Sequence, residues 1–459
     1  MTNAAELLNQ LDSNISVLTG DNITERYCVD WTFVEHCRPE AVLRPSSTEQ
    51  IAAILTHCQK NKQAVVVQGG MTGLAGGATP SSGEVALSLE NLTGIEEIDE
   101  QAMTMTVKSG TPLAVIQQAA LDKGLVFPMD LGARGTATIG GNVSTNAGGV
   151  QVIRYGMTRA LVMGLEVVLP DGTVITSLNK MLKNNAGFDL KHLFIGSEGT
   201  LGVVTRVLVR LFPQPKSRCT AMVAFDKFSD TVTLLKEIQG SLTGLVNSYE
   251  VMWDLYFENV APTVKEFTNP FDEKFGAYAI IELCGNDHEQ DTRLLESFLD
   301  KQLETGLIRD VVIAQNETQA NNLWSVRHGI GDFGSSTPVI NYDVSIPIGE
   351  MDAFTRELMQ QLNARFPHIT TLLFGHIGDS NLHVVIGDYL APEFKDLKDL
   401  VHELTGEFSG SVSAEHGIGK LKAAYLPLSR SAEEIALMKL LKNAMDPAGI
   451  LNRGRIIDA

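Results

Sequence analysis

Basic residues are scarce. Against 55 aspartates and glutamates the 459-residue chain sets only 36 lysines and arginines, a formal net charge of −19. Nucleic acid and anionic membrane surfaces both require a basic patch, so neither is an expected partner. A local basic pocket for a small anion stays open. Cysteine is sparse too: Cys28, Cys37, Cys58, Cys219 and Cys284 are an odd set with no C-x-x-C spacing. That argues against disulfides, zinc knuckles and iron–sulfur ligation, and for reduced thiols in the cytoplasm. No run of about 18 apolar residues occurs, and Met1-Thr2-Asn3-Ala4-Ala5-Glu6 lacks the basic and apolar regions of a leader. No internal repeat or low-complexity segment stands out. The 44% hydrophobic and 20% charged content is that of a globular protein, and the length calls for two or three domains. The expectation is a cytoplasmic protein with no transmembrane segment.

Glycine is locally abundant. Residues 69–77 of Gln68-Gly69-Gly70-Met71-Thr72-Gly73-Leu74-Ala75-Gly76-Gly77 hold five glycines in nine positions, after the strand-like Ala64-Val65-Val66-Val67. Without Cβ atoms in the way, successive N–H groups converge into a nest for phosphate oxygens. A second glycine-rich stretch runs from Gly132 through Gly135-Thr136, Gly140-Gly141-Asn142 and Asn146 to Gly148-Gly149. One such loop is often a plain turn. Two, each after an apolar segment, point to a dinucleotide.

The spacing of Leu7, Leu8, Leu11, Ile15 and Leu18 predicts an amphipathic helix over residues 4–19. Ser47 or Thr48 caps a second helix that feeds the strand before the first glycine loop, a β-α-β opening. Residues 85–89 and 103–107 read as strands, 112–120 as a helix, and 165–175 as a hairpin turning at Asp171-Gly172. Pro213 and Pro215 mark a domain boundary. Beyond it strands and helices alternate (220–225, 232–239, 278–283, 292–304), which predicts an antiparallel sheet with helices on one face.

Gly329-Ile330-Gly331-Asp332-Phe333-Gly334 matches G-x-G-x-x-G, but that fingerprint needs a preceding strand and a helix opening within it. Here a helical stretch, 316–328, precedes it, so the match is set aside. His376-Ile377-Gly378-Asp379-Ser380-Asn381-Leu382-His383 lies between strand-like runs with turn chemistry at its middle. A regular hairpin would set His376 opposite His383, half of a metal site. Ser413-Ala414-Glu415-His416-Gly417-Ile418-Gly419 adds a carboxylate and a third imidazole. His, His and Glu with one open position describe a catalytic Zn, Mn or Fe site; hydrogen-bonded structural histidines are the alternative. Arg327 is a solvated surface charge by the usual habit of its residue type, or a carboxylate fork if it lies beside a metal.

These segments carry a family resemblance. Pro45-Ser46-Ser47-Thr48-Glu49-Gln50, residues 68–77 and 128–156, and Gly196-Ser197-Glu198-Gly199-Thr200-Leu201-Gly202 resemble the FAD-binding domain of the vanillyl-alcohol-oxidase flavoproteins. Residues 375–383, 413–419 and Asp446-Pro447-Ala448-Gly449-Ile450-Leu451-Asn452 resemble the FAD-linked oxidase C-terminal domain. The branch is that of the D-2-hydroxy-acid dehydrogenases, which includes D-2-hydroxyglutarate and D-lactate dehydrogenases and the flavin subunit of glycolate oxidase. The resemblance implies an α+β fold: an N-terminal helical segment (1–40), a two-subdomain PCMH-type FAD-binding domain (41–213), an antiparallel-sheet substrate or cap domain covered by helices (214–415), and a C-terminal segment (416–459) returning to the FAD domain.

The resemblance also implies roles. Gly69, Gly70, Thr72, Gly73 and Gly77 hold the pyrophosphate. Gly135, Thr136, Gly140, Gly141, Asn142, Ser144, Thr145 and Asn146 line the isoalloxazine and ribityl side, Gly199 and Val204 lie near the adenine half, and Asn452 returns the C-terminus to the flavin. FAD is expected to be non-covalent, since residues 68–77 hold no His or Cys to attach it. His376, His383 and Glu415 match metal ligands (Zn first, Mn or Fe next), His416 a catalytic base, and Arg327 a carboxylate holder. Asn341, Tyr342 and Val385 fall at substrate positions. Some 2-hydroxyglutarate enzymes carry a lysine where this chain has Asn341 and an asparagine where it has Val385, which weakens the case for a dicarboxylate. Glu415 and His416 are adjacent, so Gly417 is expected to mark a bend that lets both reach one site. The implied reaction oxidises a small D-2-hydroxy acid to the 2-oxo acid, with electrons passed to an external acceptor (electron-transfer flavoprotein, quinone or cytochrome); a homodimer is the expected assembly. Rival readings are a metallohydrolase with structural glycine loops and a non-catalytic flavin-binding subunit.

Overall fold

A computed structural model describes residues 14–331, 333 and 339–457. The chain divides into two compact units, formed by the described parts of residues 1–149, 155–214 and 415–459, and of residues 150–154 and 215–414. Among the described residues no helix is long and apolar enough to cross a membrane.

The first unit holds two main sheets. In one, the strand order is Ser16–Leu18, Val42–Arg44, Val85–Ser88, Val65–Gln68, the last three mutually parallel. The parallel pairs need a crossover, supplied by the helix Thr48–Asn61. Its N-cap is Ser47, whose side chain accepts from Gln50 N, and it buries Ile51, Ile54, Leu55 and Cys58, the stripe of an amphipathic helix. The second sheet is wholly antiparallel: Ile95–Asp99, Thr104–Lys108, Val203–Arg210, Val162–Val168, Val174–Ser177. Its last pair is the hairpin at Asp171-Gly172 expected from the sequence. The helix expected over residues 4–19 falls mostly outside the described residues, and where it is described it is wrong. Ser16–Leu18 is a strand paired with Val42–Arg44, and residues 20–27 contain only two 3-10 turns. Val17 and Leu18 fit a sheet edge as well as a helical stripe, so periodicity alone chose wrongly.

The C-terminal segment closes this unit through buried polar groups. Asp446 Oδ1 accepts from Ile450 N at 3.0 Å and Oδ2 from Leu451 N at 2.9 Å, which turns the chain after the helix Ala432–Met445. Leu451 then bridges Val65 in parallel. Arg455, fully buried, forks onto Glu84 at 2.5 and 2.9 Å and caps the carbonyls of Thr79 and Arg453 at 2.6 Å each.

The second unit is a seven-stranded antiparallel sheet, in the order Asp310–Ile313, Ser217–Phe225, Ala277–Gly285, Val246–Trp253, Thr370–His376, Asn381–Gly387, Val339–Ser345. The expectation of helices on one face is corrected, because both faces are covered. Ala221, Val223, Ile281 and Val384 point toward Phe228–Ser241, His288–Glu304, Met351–Arg365 and Phe394–Glu407, whereas Met222, Ile280, Leu372 and Val385 pack with Tyr256, Phe257, Leu323 and Trp324. All nine residues of Ala277–Gly285 are buried. A continuous apolar run, in place of alternation, was the signal of two covered faces.

Glycine spacing in the first unit reflects backbone contact. A Cβ on Gly70 would lie 2.0 Å from Thr136 O, so the two glycine-rich stretches touch main chain to main chain there. We expect Gly70→Ala to force them apart, lowering stability by about 1–3 kcal/mol, the usual range for overpacking, and to abolish binding in the cavity they enclose. Urea unfolding and flavin titration of the variant check this; wild-type values for both would refute it.

Candidate functional site

A cavity of about 370 Å³ lies in the first unit. Its walls include Gly69, Gly70, Thr72, Gly73 and Gly77 from the first glycine loop, and Gly140, Gly141, Asn142, Ser144 and Thr145 from the helix Ile139–Thr145 and its start. Gly199, Val204 and Asn452 complete it, with Glu415 and His416 on the same wall. Gly135, Thr136 and Asn146, expected as lining, are not there. Asn146 is the left-handed C-cap (φ 50°) of Ile139–Thr145, and its Oδ1 accepts from Arg159 N at 2.9 Å. Gly135 and Thr136 form an exposed turn whose carbonyl at Thr136 meets Gly70. These three shape the wall from behind. Trp31 also lines the cavity, a residue the sequence reading passed over.

Glu198 was missed as well, and it organises the site. The carboxylate accepts from Ile418 N at 2.7 Å through Oε1 and from Gly419 N at 2.8 Å through Oε2. Asn452 Nδ2 donates to Glu198 O at 2.6 Å while its Oδ1 accepts from Val67 N at 2.8 Å. Strand Val65–Gln68, the Glu198 turn, the residue 415–419 loop and the C-terminus are thereby tied at one point. The expected bend is present: Gly417 sits at φ 82°, a conformation that excludes most side chains, and Glu415 and His416 both reach the cavity. Burial pushes the Glu198 carboxyl up to about 6; the two N–H donors and the charges of Lys422 and Arg455 pull the other way.

In the second unit Glu250, 1% exposed, is a hub. Its Oε1 lies 2.6 Å from His376 Nδ1 and its Oε2 accepts from Arg327 Nε at 2.8 Å. Arg327 is therefore a buried, paired charge and not a surface one; its guanidinium stands 4.5 Å over the Phe374 ring. Tyr256 Oη fixes the end of the arginine's helix by donating to the carbonyls of Val326 and Arg327 at 3.1 and 3.0 Å. His376 and His383 come together, ring centroids 5.5 Å apart, but not as a hairpin pair. A 3-10 turn, Ile377–Asp379, shifts the register, so His383 faces Phe374 and Asp343 while His376 faces Glu250. Asp343 accepts from Asn381 Nδ2 at 3.0 Å and from Ala414 N at 3.1 Å. Burial raises the Asp379 carboxyl to about 6, with the His376 charge opposing the rise.

Two residues expected at substrate positions lie inside the sheet's cores. Tyr342 lies on the other side of the sheet from Asp343, buried in the helix-covered core with its ring 5.6 Å from that of His402, because neighbours in a strand point to opposite faces. Val385 is fully buried among Leu372, Phe374 and Trp324. Asn341 pairs with Val385 across the ladder and is exposed.

Residues 39–177 match the FAD binding domain family, and residues 214–456 match the C-terminal domain of FAD linked oxidases. The D-2-hydroxyglutarate dehydrogenase of Xanthomonas citri pv. viticola is 38% identical over 443 residues, 95% of this chain and 92% of that protein. The mitochondrial D-2-hydroxyglutarate dehydrogenase of Arabidopsis thaliana is 37% identical over 93% of this chain and 77% of its own. Among solved structures, p-cresol methylhydroxylase with substrate bound superposes with a TM-score of 0.77 at 17% identity, covering 99% of this chain and 96% of that one, a likeness of fold.

The raised Glu198 carboxyl sets a sign for pH dependence. The folded state holds this proton more tightly than the unfolded chain, so its contribution is fully present below the ordinary value of 4.5 and is lost as pH rises through about 6. That interval corresponds to about 2 kcal/mol. Glu198→Gln, neutral at every pH, should flatten the fall in unfolding free energy between those values. An unchanged slope in urea melts across that window would show that the folded carboxyl holds no extra proton.

Proposed function

We propose, from the premise that this chain belongs to the FAD-linked oxidases, that it oxidises a small D-2-hydroxy acid to the 2-oxo acid. The observation that carries the reading is the first unit's cavity, where both glycine-rich walls meet Glu415 and His416. Its main-chain lining, with Gly70 close against Thr136, suits the approach of a dinucleotide's phosphates. FAD held there without a covalent link would supply the acceptor for the hydride released from the substrate carbon.

His416 takes the hydroxyl proton at an imidazole nitrogen as general base. Arg327 presents its guanidinium to the substrate carboxylate, oriented by Glu250 at Nε and by the Phe374 ring. Glu250 has a second task. By holding His376 Nδ1 it fixes the ring and its tautomer, leaving Nε2 as the ligand atom, the carboxylate–histidine arrangement usual behind a metal. That observation supports His376 as a ligand; His383 and Glu415 complete the set expected from the sequence. These donors would suit a divalent cation, zinc first by its N and O donors and manganese or iron next, which would supply Lewis acidity toward the substrate hydroxyl. Electrons leave to an external acceptor such as an electron-transfer flavoprotein, a quinone or a cytochrome.

A panel of D- and L-2-hydroxy acids with an artificial acceptor tests the reading: D isomers should bleach the flavin and L isomers should not. No bleaching by any D-2-hydroxy acid would rule it out. His416→Gln should keep flavin and metal and lose roughly 10²–10⁴-fold in the rate of flavin reduction; a metal-free variant would instead make the residue a ligand.

Glu250→Gln should cut metal affinity about 10–100-fold, the usual cost of losing a group behind a ligand, while flavin content stays at wild-type level. Metal analysis after dialysis against a graded chelator measures it. Undiminished affinity would separate Glu250 from the metal.

A further inference from the structure

Outside the cavity and the Glu250 hub, one cluster of ligand-type side chains has no part in the proposed reaction. Glu25 opens the 3-10 turn Glu25–Tyr27 and Cys28 closes it, Cys28 N donating to Glu25 O at 2.9 Å. In a 3-10 turn, side chains three apart eclipse, so the carboxylate stands over the thiol. The chain then leaves in a loop whose return is fixed by Cys37 N donating to Cys28 O at 3.1 Å. That closure delivers His36 to the turn, its Nε2 2.7 Å from Glu25 Oε1. One ligand atom each from Glu25, Cys28 and His36 lies within 4.8 Å of the others. The thiol is buried, whereas the imidazole and carboxylate face solvent, with side chains 54% and 72% exposed. A soft donor thus sits at the bottom of the cluster, with two mobile donors above it.

We propose that Glu25, Cys28 and His36 form a site for a thiophilic divalent cation of the zinc class, which clips together the two ends of the loop bearing Trp31. Bonds of about 2.3 Å to sulfur and about 2.0–2.1 Å to nitrogen and oxygen require the donors to close slightly, and the exposed Glu25 and His36 side chains are free to swing inward. Water fills the fourth position, and the Cys28 S–H proton passes to solvent as the metal–sulfur bond forms. The loop is anchored midway by Asp30 N on Thr79 Oγ1 at 3.0 Å and by Glu35 on Lys420 Nζ at 2.6 Å. A clip at its base fixes the remaining end and holds Trp31 at the cavity wall.

Thiolate ligation separates this site from His376, His383 and Glu415, which offer only nitrogen and oxygen. The probe is cobalt(II), titrated into the reduced full-length protein and followed by near-ultraviolet sulfur-to-metal charge transfer, a band that nitrogen and oxygen donors do not give. We expect the band in the wild type and in His383→Ala, and its loss in Cys28→Ser. Because Cys28 is buried, His36→Ala serves as the surface control: folded by circular dichroism, it should bind the band-forming cobalt about tenfold more weakly or worse. No band in the folded wild type, a band that survives Cys28→Ser, or an unchanged affinity in His36→Ala would each overturn the proposal.

Discussion

The first unit depends on how the Glu198 carboxylate is satisfied. A cavity walled by main chain from four remote stretches leaves many buried N–H and C=O groups in need of partners. Glu198 answers for two of them at once, across 220 and 221 residues of sequence, and its own carbonyl serves Asn452. A carboxylate suits this place better than an amide, because it offers two acceptor oxygens and nothing that must itself find a partner. The cost is desolvation of a charge, visible as the upward push on its titration. Without the clasp, the residue 415–419 loop would have two buried donors to satisfy and no fixed path past the cavity. The position of His416 is thus set by a residue more than two hundred positions away.

The second unit uses the same solution for a different purpose. Its sheet is apolar on both faces, yet a guanidinium and an imidazole reach the buried Glu250 from two elements: the helix Glu317–His328 and the strand Thr370–His376. Each group alone would be expensive to bury. Together they neutralise charge and fix direction, and the Phe374 ring supports both Arg327 and His383. Rigid placement follows from packing, since Phe374 is itself locked between Tyr256 and the ladder.

What the sequence made legible follows from which signals are local. The glycine loops, the Ser47 cap, the hairpin at Asp171-Gly172 and the strand–helix alternation after Pro215 depend on neighbours, and the structure contains them. Cavity residues such as Gly69, Asn142 and Asn452 were reached through family resemblance. The hubs stayed hidden for a physical reason. Glu250 and Glu198 act through partners 77 to 221 residues away, and nothing in a linear pattern distinguishes a buried acid that serves several groups from one in solvent. A trace existed: Glu250 interrupts Val246–Trp253, an otherwise apolar or uncharged strand, and a lone acid in such a run needs a partner. The His376–His383 register failed because hairpin symmetry assumes a tight turn, and the 3-10 turn at Ile377–Asp379 inserts extra residues on one side.

Charge counting on the Glu250 face adds a constraint on how an anion is bound. Glu250 and Asp343 bring two negative charges, and Arg327 brings one positive charge that Glu250 already engages. With both imidazoles neutral, as metal ligation requires, the cluster carries a net charge of one minus before Asp379 is counted. A carboxylate approaching Arg327 would therefore meet an unfavourable field in a region where low dielectric strengthens it. On the proposed reading, a divalent cation held with the Glu415 carboxylate would add one net positive charge and bring that count to zero. Arg327 then supplies direction, a planar fork for one carboxylate, and the cation supplies the attraction. Beside Arg327, Val385, Leu372 and Met252 continue this face of the sheet as buried hydrocarbon, and the guanidinium of Arg218 on the same face is engaged by Glu282 at 2.5 Å.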